Sequence, residues 1–266
     1  MNFFNPSFHT LKHLYLHQAY IGGNAFNELR YRHAGTGLGI FWNICQPILE
    51  LTVYTVIFSW LFPRTIKGMP FILYLSSGLF VWRSFASCIL RGSIVYREKA
   101  PLIGQTTFPP EIHIAEICIS SVLVSFIYYA LLIPLVLLFG AQLSPTLFIL
   151  PVVLILFQAM AFTFNLMIAP LCVLIPDIRE IIQTLMPLWF WTLPIIYPET
   201  ILPPHWQKIL YLNPPYVFIK SVQDIVLYQS SPTAHTWLAM MGWLSVLLLT
   251  GALVHAKLQN DVRESL

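Results

Sequence analysis

Between residues 37 and 256 the chain consists largely of apolar runs long enough to cross a lipid bilayer, separated by short polar loops. A spanning helix needs roughly 20 mostly apolar residues. Six segments qualify: 37–62, 71–90, 112–139, 147–173, 181–198 and 236–256. With 57% hydrophobic and 9% charged residues, the chain has too little polar surface for a soluble globule of its size. The expected fold is an all-α integral membrane protein with six transmembrane helices. An amphipathic interface segment (1–36) precedes a single transmembrane domain (37–266), and short re-entrant outer helices are expected before the last span. The first 36 residues lack the basic start, short apolar core and small-residue site of a secretory signal, so no segment is expected to be removed.

Basic residues favour the cytoplasmic side of short loops. With the N-terminus inside, Lys12, Arg30, Arg32, Arg91, Arg97, Lys99, Arg179, Lys257 and Arg263 are cytoplasmic, and Arg64, Lys67, Lys208 and Lys220 lie outside. The excess predicts both termini in the cytoplasm. Net charge +3 is thus a topology signal, and no basic soluble face suggests nucleic acid. Cys45, Cys88, Cys118 and Cys172 fall inside apolar spans without a CxxC spacing, which suits small core residues.

Residues 5–21 place Phe8, Leu11, Leu14 and Tyr15 at helical spacing beside a polar face, as an interfacial helix does. Gly22 and Gly23 are expected to break it, and Asn24 to cap a second helix running to Arg32. His9, His13 and His17 share one face. That spacing permits a metal site, but no carboxylate or cysteine is expected to complete one nearby, and a wetted or partner-facing stripe is preferred.

Three charges fall within or near the spans: Glu50 in the first, Arg83 in the second and Glu116 near the start of the third. Charges at such depth are costly and rarely face lipid. At 1.5 Å of rise per residue, Glu50 and Arg83 differ in depth by roughly 9 Å, which an extended arginine can bridge. The pair reads either as a structural ion pair or as a polar spot in a channel wall. Pro47 is expected to kink the first span.

Two segments stand out from the apolar pattern. Residues 91–111 form a basic, helix-breaking insert whose Tyr96, Arg97, Glu98 and Lys99 are placed outside the bilayer, where another protein can push them. Residues 194–215 carry six prolines among apolar residues, too many for one straight helix and too greasy for a free loop. Short helices re-entering the outer leaflet fit, and the stretch is a candidate outer gate. Tyr54, Phe58, Trp60, Trp189, Phe190, Trp191 and Tyr197 gather near the predicted outer boundary, either as an interfacial belt or as aromatic faces along which sugar rings slide.

No GxxxxGK[ST] occurs, because none of the six lysines follows a glycine, so the chain has no P-loop of its own, and if ATP drives it, a partner brings the ATP. No paired aspartates or Ser/His/Asp grouping supports an enzyme. The spans also lack two matching charged, Gly/Pro-broken helices, which disfavours an inverted-repeat transporter.

Several blocks resemble the membrane subunit of type-two ABC exporters of polysaccharide, the O-antigen, capsule and teichoic acid permeases. They are RYRHAGTGLGIFWNICQPILELTVYTVIF (30–58), SGLFVWRSFASCILRGS (77–93), FPPEI (108–112), PDIREIIQTLMPLWFWTLPIIYP (176–198) and YLNPPYVFIKSVQD (211–224). The resemblance implies a homodimer of six-helix subunits in the bacterial inner membrane, two copies of a separate ABC ATPase carrying ATP and Mg, and a channel between protomers. This chain itself holds no cofactor. It further implies a coupling helix at 96–104, a second ATPase contact involving Asp177, Arg179 and Glu180, and a lipid-linked polysaccharide entering beside the N-terminal helix. Arg30 and Arg32 there either meet a carrier diphosphate or anchor the chain on the positive-inside side. Periplasmic or outer-membrane export proteins are further partners of such systems. The chain departs from the family at Glu50, where an apolar residue is usual. The alternatives are a membrane-embedded glycosyl or acyl transferase, with Glu50 as its base, and an ABC exporter of drugs or lipids.

Overall fold

A computed structural model describes residues 4–58, 60, 65–66, 68–105, 108–139 and 144–266. The outer end of the first predicted span at 59 and 61–62, the basic residues Arg64 and Lys67, and positions 106–107 of the coupling loop lie outside the described residues.

The N-terminal segment forms α1 (Phe4–Leu16) and α2 (Gln18–Tyr31). The break falls at His17, with φ −108° and ψ 17°, and not at the glycine pair. Gly22 and Gly23 lie inside α2. Their helix-propensity cost, about 1 kcal/mol each, is outweighed by the buried stripe Ile21, Ala25 and Leu29, which packs on α7. Asn24 is not a cap either: its Nδ2 donates to Glu116 Oε1 at 3.0 Å.

A single 3-10 turn leads into α3 (Trp42–Phe58), which continues through Pro47. A two-residue antiparallel hairpin, β1 (Thr65–Ile66) and β2 (Met69–Pro70), then opens α4 (Phe71–Gly92). Gly68, at φ +82°, occupies the left-handed region that the turn requires. Two short helices follow, α5 (Val95–Glu98) and α6 (Ala100–Gln105), before the long α7 (Glu111–Leu138) and α8 (Leu150–Leu174). The remaining elements are α9 (Asp177–Trp191), α10 (Pro204–Ile209), α11 (Pro214–Tyr228) and α12 (Ala234–Ser265). Apart from the hairpin, the described regular structure is helical.

Among the described residues, five stretches are long and apolar enough to cross a bilayer: Gly39–Phe58, Phe71–Gly92, Glu111–Leu138, Pro145–Leu174 and Ala234–Ser265. They match the first four and the last of the predicted spans. The fifth, 181–198, differs: its helix starts at Asp177 and stops at Trp191. Fifteen residues rise only about 22 Å against a hydrocarbon core of about 30 Å. The chain then turns irregularly through Pro194 and Pro198, neither of which supplies an N–H for a continuing helix.

Two features organise the packing. First, α4 runs through the middle of the bundle against α7, α8 and α11. Phe85 of α4 stacks on Phe157 of α8 with centroids 4.5 Å apart, and Phe157 stacks on Phe218 of α11 at 5.2 Å. Gln158 Nε2 donates to Ser84 Oγ (2.8 Å) and Ser125 Oγ (3.1 Å), linking α8, α4 and α7 by buried hydrogen bonds of the kind that join membrane helices. Second, α12 lies along α8 so closely that a Cβ at Gly251 would meet the Thr163 carbonyl at 2.6 Å. Cys88, Cys118 and Cys172 are buried, as small core residues are.

Helix α11 was not anticipated as a buried element. In the proline-rich stretch, α10 is exposed, whereas α11 buries Tyr216 through Ile219 and Ile225 through Leu227. Pro214 and Pro215 disguise a helix start as a loop, since proline is tolerated in a first turn.

Candidate functional site

A cavity of about 390 Å³ opens along one side of the bundle between α3, α4 and α9, with Tyr128 of α7 at its back. Its lining repeats at helical spacing. On α3 the residues are Asn43, Gln46, Glu50 and Tyr54; on α4 they are Leu79, Trp82, Arg83, Ala86, Ser87, Leu90 and Arg91; on α9 they are Met186, Pro187, Phe190 and Trp191. Each helix thus offers one stripe to a common groove.

The groove is graded along its length. Near the end of the bundle that carries α5, Arg32 and Arg91 face it together with His33. Arg91 pairs with Glu28 of α2. Arg32 Nη2 donates to the Ser120 hydroxyl at 3.3 Å. Burial, followed by the nearby Arg91, lowers the pKa of Arg32 from its ordinary value, with Glu28 opposing. For His33, burial and then Arg32 lower the imidazole pKa, which favours its neutral form. The Nε groups of both arginines are buried and have no hydrogen-bond partner among the described residues, which leaves donors for an anion.

About 12 Å further along α4 lies Arg83. Its Nη1 sits 2.8 Å from Glu50 Oε2, and its Nη2 donates to Gln46 Oε1 at 3.4 Å. Beyond it the groove becomes aromatic: Tyr54 stacks on Phe190 at 6.0 Å, and Trp82 lies 6.2 Å from the same ring. Phe58 lies outside the lining and packs on Trp191 with centroids 6.3 Å apart.

Not every anticipated residue faces this groove. Trp189 turns away into the core between Trp82, Phe85 and Phe164, and its Nε1 donates to Asn213 Oδ1 at 2.9 Å. Tyr197 is absent from the lining, and its hydroxyl donates to the Trp191 carbonyl at 3.1 Å. Arg30 is exposed over the Tyr31 ring and also stays out. Glu116 is buried between Asn24 and His113 Nδ1, away from the groove. Sequence reasoning missed Arg91 as the neighbour of Arg32, and it missed Trp82 and Gln46. The helical spacing of Arg83 and Arg91 on α4 was the available signal.

At the α5 end, Arg97 and Glu98 are exposed and Lys99 is half-buried. Arg97 Nη2 donates to the Val173 carbonyl near the C-terminus of α8 at 3.2 Å, a favourable place for a cation. Tyr96 points the other way and is 1% exposed, so it is no surface contact. Asp177, Arg179 and Glu180 are exposed on the first turn of α9. The stretch 194–202 is held in place at several points. Tyr74 donates to the Pro194 carbonyl (2.7 Å), Gln223 donates to the same oxygen (3.1 Å), and Lys220 Nζ lies 2.7 Å from Glu199 Oε2.

Among the described residues no cluster of His, Cys, Asp or Glu fits a metal ion. His13 instead pairs with Glu111, and His17 bonds to the His13 carbonyl.

Residues 27–227 match the family model described as ABC-2 type transporter. The chain is similar to an O-antigen export system permease protein RfbA of Myxococcus xanthus, 24% identical over 262 residues that cover 96% of this chain and 98% of the relative. A Klebsiella pneumoniae protein of the same description is 24% identical over 245 residues, covering 90% of this chain and 92% of its own. Another from that organism is 26% identical over 203 residues, covering 74% and 76%.

Proposed function

The chain belongs to the ABC-2 type transporter family, and from that premise we propose that it is the channel-forming subunit of an ATP-driven exporter of lipid-linked polysaccharide. A separate ABC ATPase, bound as two copies to a homodimer of this chain, supplies the work. The membrane is the cytoplasmic membrane of a bacterium, with both termini inside. The similarity to O-antigen export permeases supports a polysaccharide substrate.

The observation that carries this reading is the grading of the groove: two arginines at one end whose Nε donors have no partner among the described residues, the Glu50–Arg83 ion pair midway, and aromatic faces at the other end. A diphosphate-linked polymer presents that chemistry in the same order. Arg32 and Arg91, and not Arg30 with Arg32, take the anionic carrier group by charge-assisted hydrogen bonds. Aromatic faces then contact sugar rings through apolar surface without holding them by many hydrogen bonds. Exposed Arg97 and Glu98 on α5, with Asp177, Arg179 and Glu180 on α9, form the surface on which the ATPase docks. ATP binding shifts the population of open states by its affinity difference between them.

The Glu50 carboxylate is held by Arg83, which suits a structural or sorting role more than that of a transferase base.

The test is gentle extraction of a tagged chain from its native membrane, with stoichiometric mass spectrometry of what accompanies it. A P-loop ATPase at one copy per copy is expected, together with intracellular accumulation of polymer in a deletion strain. Recovery without an ATPase overturns the reading.

A further inference from the structure

Four residues from four separate elements meet in a polar chain at the α5 end, three of them buried and His13 half-buried. Tyr96 of α5 is 1% exposed, and its hydroxyl lies 2.7 Å from Nε2 of His255 on α12. His255 is 3% exposed, and the same Nε2 lies 3.9 Å from Oε2 of Glu111. Glu111 is 4% exposed and occupies the first position of α7, where the helix dipole favours a carboxylate. Its other oxygen is 2.8 Å from Nδ1 of His13 on α1. A second clip lies one turn further along α7, where Asn24 of α2 donates to Glu116 at 3.0 Å.

We infer that Tyr96 and His255 are positioning residues of the transport cycle: through Glu111 and His13 they transmit displacement of α5 to the N-terminal helices, and so to Arg32 at the mouth of the groove. This rests on the reading of α5 as the element that the ATPase moves.

Three observations carry the inference. Tyr96 faces inward, so the one aromatic hydroxyl of α5 acts on the rest of the chain and not on the docking surface. The Tyr96–His255 bond is directional and buried, so a displaced partner is not replaced by water, and breaking it leaves a desolvated polar group behind. The chain also ends in the right place. Helices α1 and α2 lie against α7 and α12 and hand the chain to Arg32, whose guanidinium reaches Ser120 on that same α7. Apolar packing alone would hold α5, but it would not define one register between α5 and α1. Two hydrogen bonds, Tyr96 to His255 and His13 to Glu111, joined by the 3.9 Å approach of His255 to Glu111, do so, because each hydrogen bond has a narrow range of length and angle.

The test uses the complete exporter, purified with its ATPase subunit in lipid nanodiscs. A nitroxide is placed at exposed Lys12, next to His13 on α1, and in a parallel sample at Lys99, next to α5. In the otherwise unaltered complex, a non-hydrolysable ATP analogue is expected to change the spectra of both labels. Tyr96→Phe removes a single oxygen and keeps the ring. It is expected to leave the Lys99 response intact, abolish most of the Lys12 response and slow export at least about fivefold, the lower range of allosteric coupling. His255→Gln, which retains a hydrogen-bonding group, is expected to restore more of both than His255→Leu. A Lys12 response that survives Tyr96→Phe and His255→Leu overturns the inference, even if stability falls. If Lys99 itself fails to respond to nucleotide in the unaltered complex, the reading of α5 as the driven element fails, and the inference with it.

Discussion

Arg83 extends from α4 to place its Nη1 2.8 Å from Oε2 of Glu50 on α3, joining the least buried of the five long spans to one packed on nearly every side. Both side chains are partly open to the groove, at 35% and 26% exposure. Removing one partner therefore strands a charge in a half-dry wall. Glu50→Leu is expected to cost about 1–3 kcal/mol and to slow export, with Glu50→Leu/Arg83→Met recovering part of both. Glu50→Gln is expected to retain most export, because the amide oxygen keeps a polar partner beside the guanidinium. Complete loss of function in Glu50→Gln, with normal folding, would favour the transferase reading.

Glu98 stands exposed on α5 beside Arg97. Reversing its charge by Glu98→Lys is expected to leave the subunit folded and to reduce export more than about tenfold, with ATP hydrolysis continuing. Comparing polymer export in cells with ATPase rate in membranes checks this. Normal export in the variant would remove α5 from the docking surface.

Two glycines on α12 should respond in opposite ways to the same substitution. At Gly251 a new Cβ meets the Thr163 carbonyl at 2.6 Å, and backbone cannot swing aside. At Gly242 nothing lies within 4 Å. Gly251→Ala is expected to lose about 1–3 kcal/mol through overpacking, whereas Gly242→Ala is expected to be neutral or to gain up to about 1 kcal/mol from helix propensity. Thermal unfolding in detergent distinguishes the two.

Lys220 on α11 anchors Glu199, with the Tyr216 hydroxyl 2.6 Å from the same carboxylate. Lys220→Met should loosen the turn that follows Pro198. A cysteine introduced at exposed Thr200 is then expected to react with a polar maleimide about tenfold faster, the equivalent of about 1.4 kcal/mol. An unchanged rate would mean that the Tyr74 and Gln223 bonds to Pro194 hold the stretch without help from Lys220.

Sequence reveals this molecule unevenly, and the reasons are physical. The five long spans are legible because each is a continuous apolar run whose length alone satisfies the bilayer. The contact between Glu50 and Arg83 is legible because two opposite charges at similar depth have few other ways to be solvated. By contrast, α11 hides behind Pro214 and Pro215, and α2 hides behind Gly22 and Gly23. In both cases tertiary burial outweighs the local signal. The neighbourhood of Arg32 and Arg91 depends on how the end of α2 meets α4, where Arg91 pairs with Glu28, and the two arginines are 59 positions apart in sequence. Tyr96 reads as a surface residue because its neighbours Arg97 and Glu98 are charged, yet the single turn of α5 puts Val95 and Tyr96 on its inner side and Arg97 and Glu98 on its outer side.

The sparse burial of α3 has a mechanical meaning. Only 17% of its spanning window is covered by the rest of the chain, against 78% for α4. The loop leading to it contains Gly35 at φ +84° and Gly39 at φ +49°, and its hold on the bundle includes the Arg83 pair and the ring contacts of Tyr54 and Phe58. The bundle is thus a stiff frame with one compliant panel. Widening the groove by swinging α3 outward breaks a small number of contacts and leaves the core packing of α4, α7 and α8 in place.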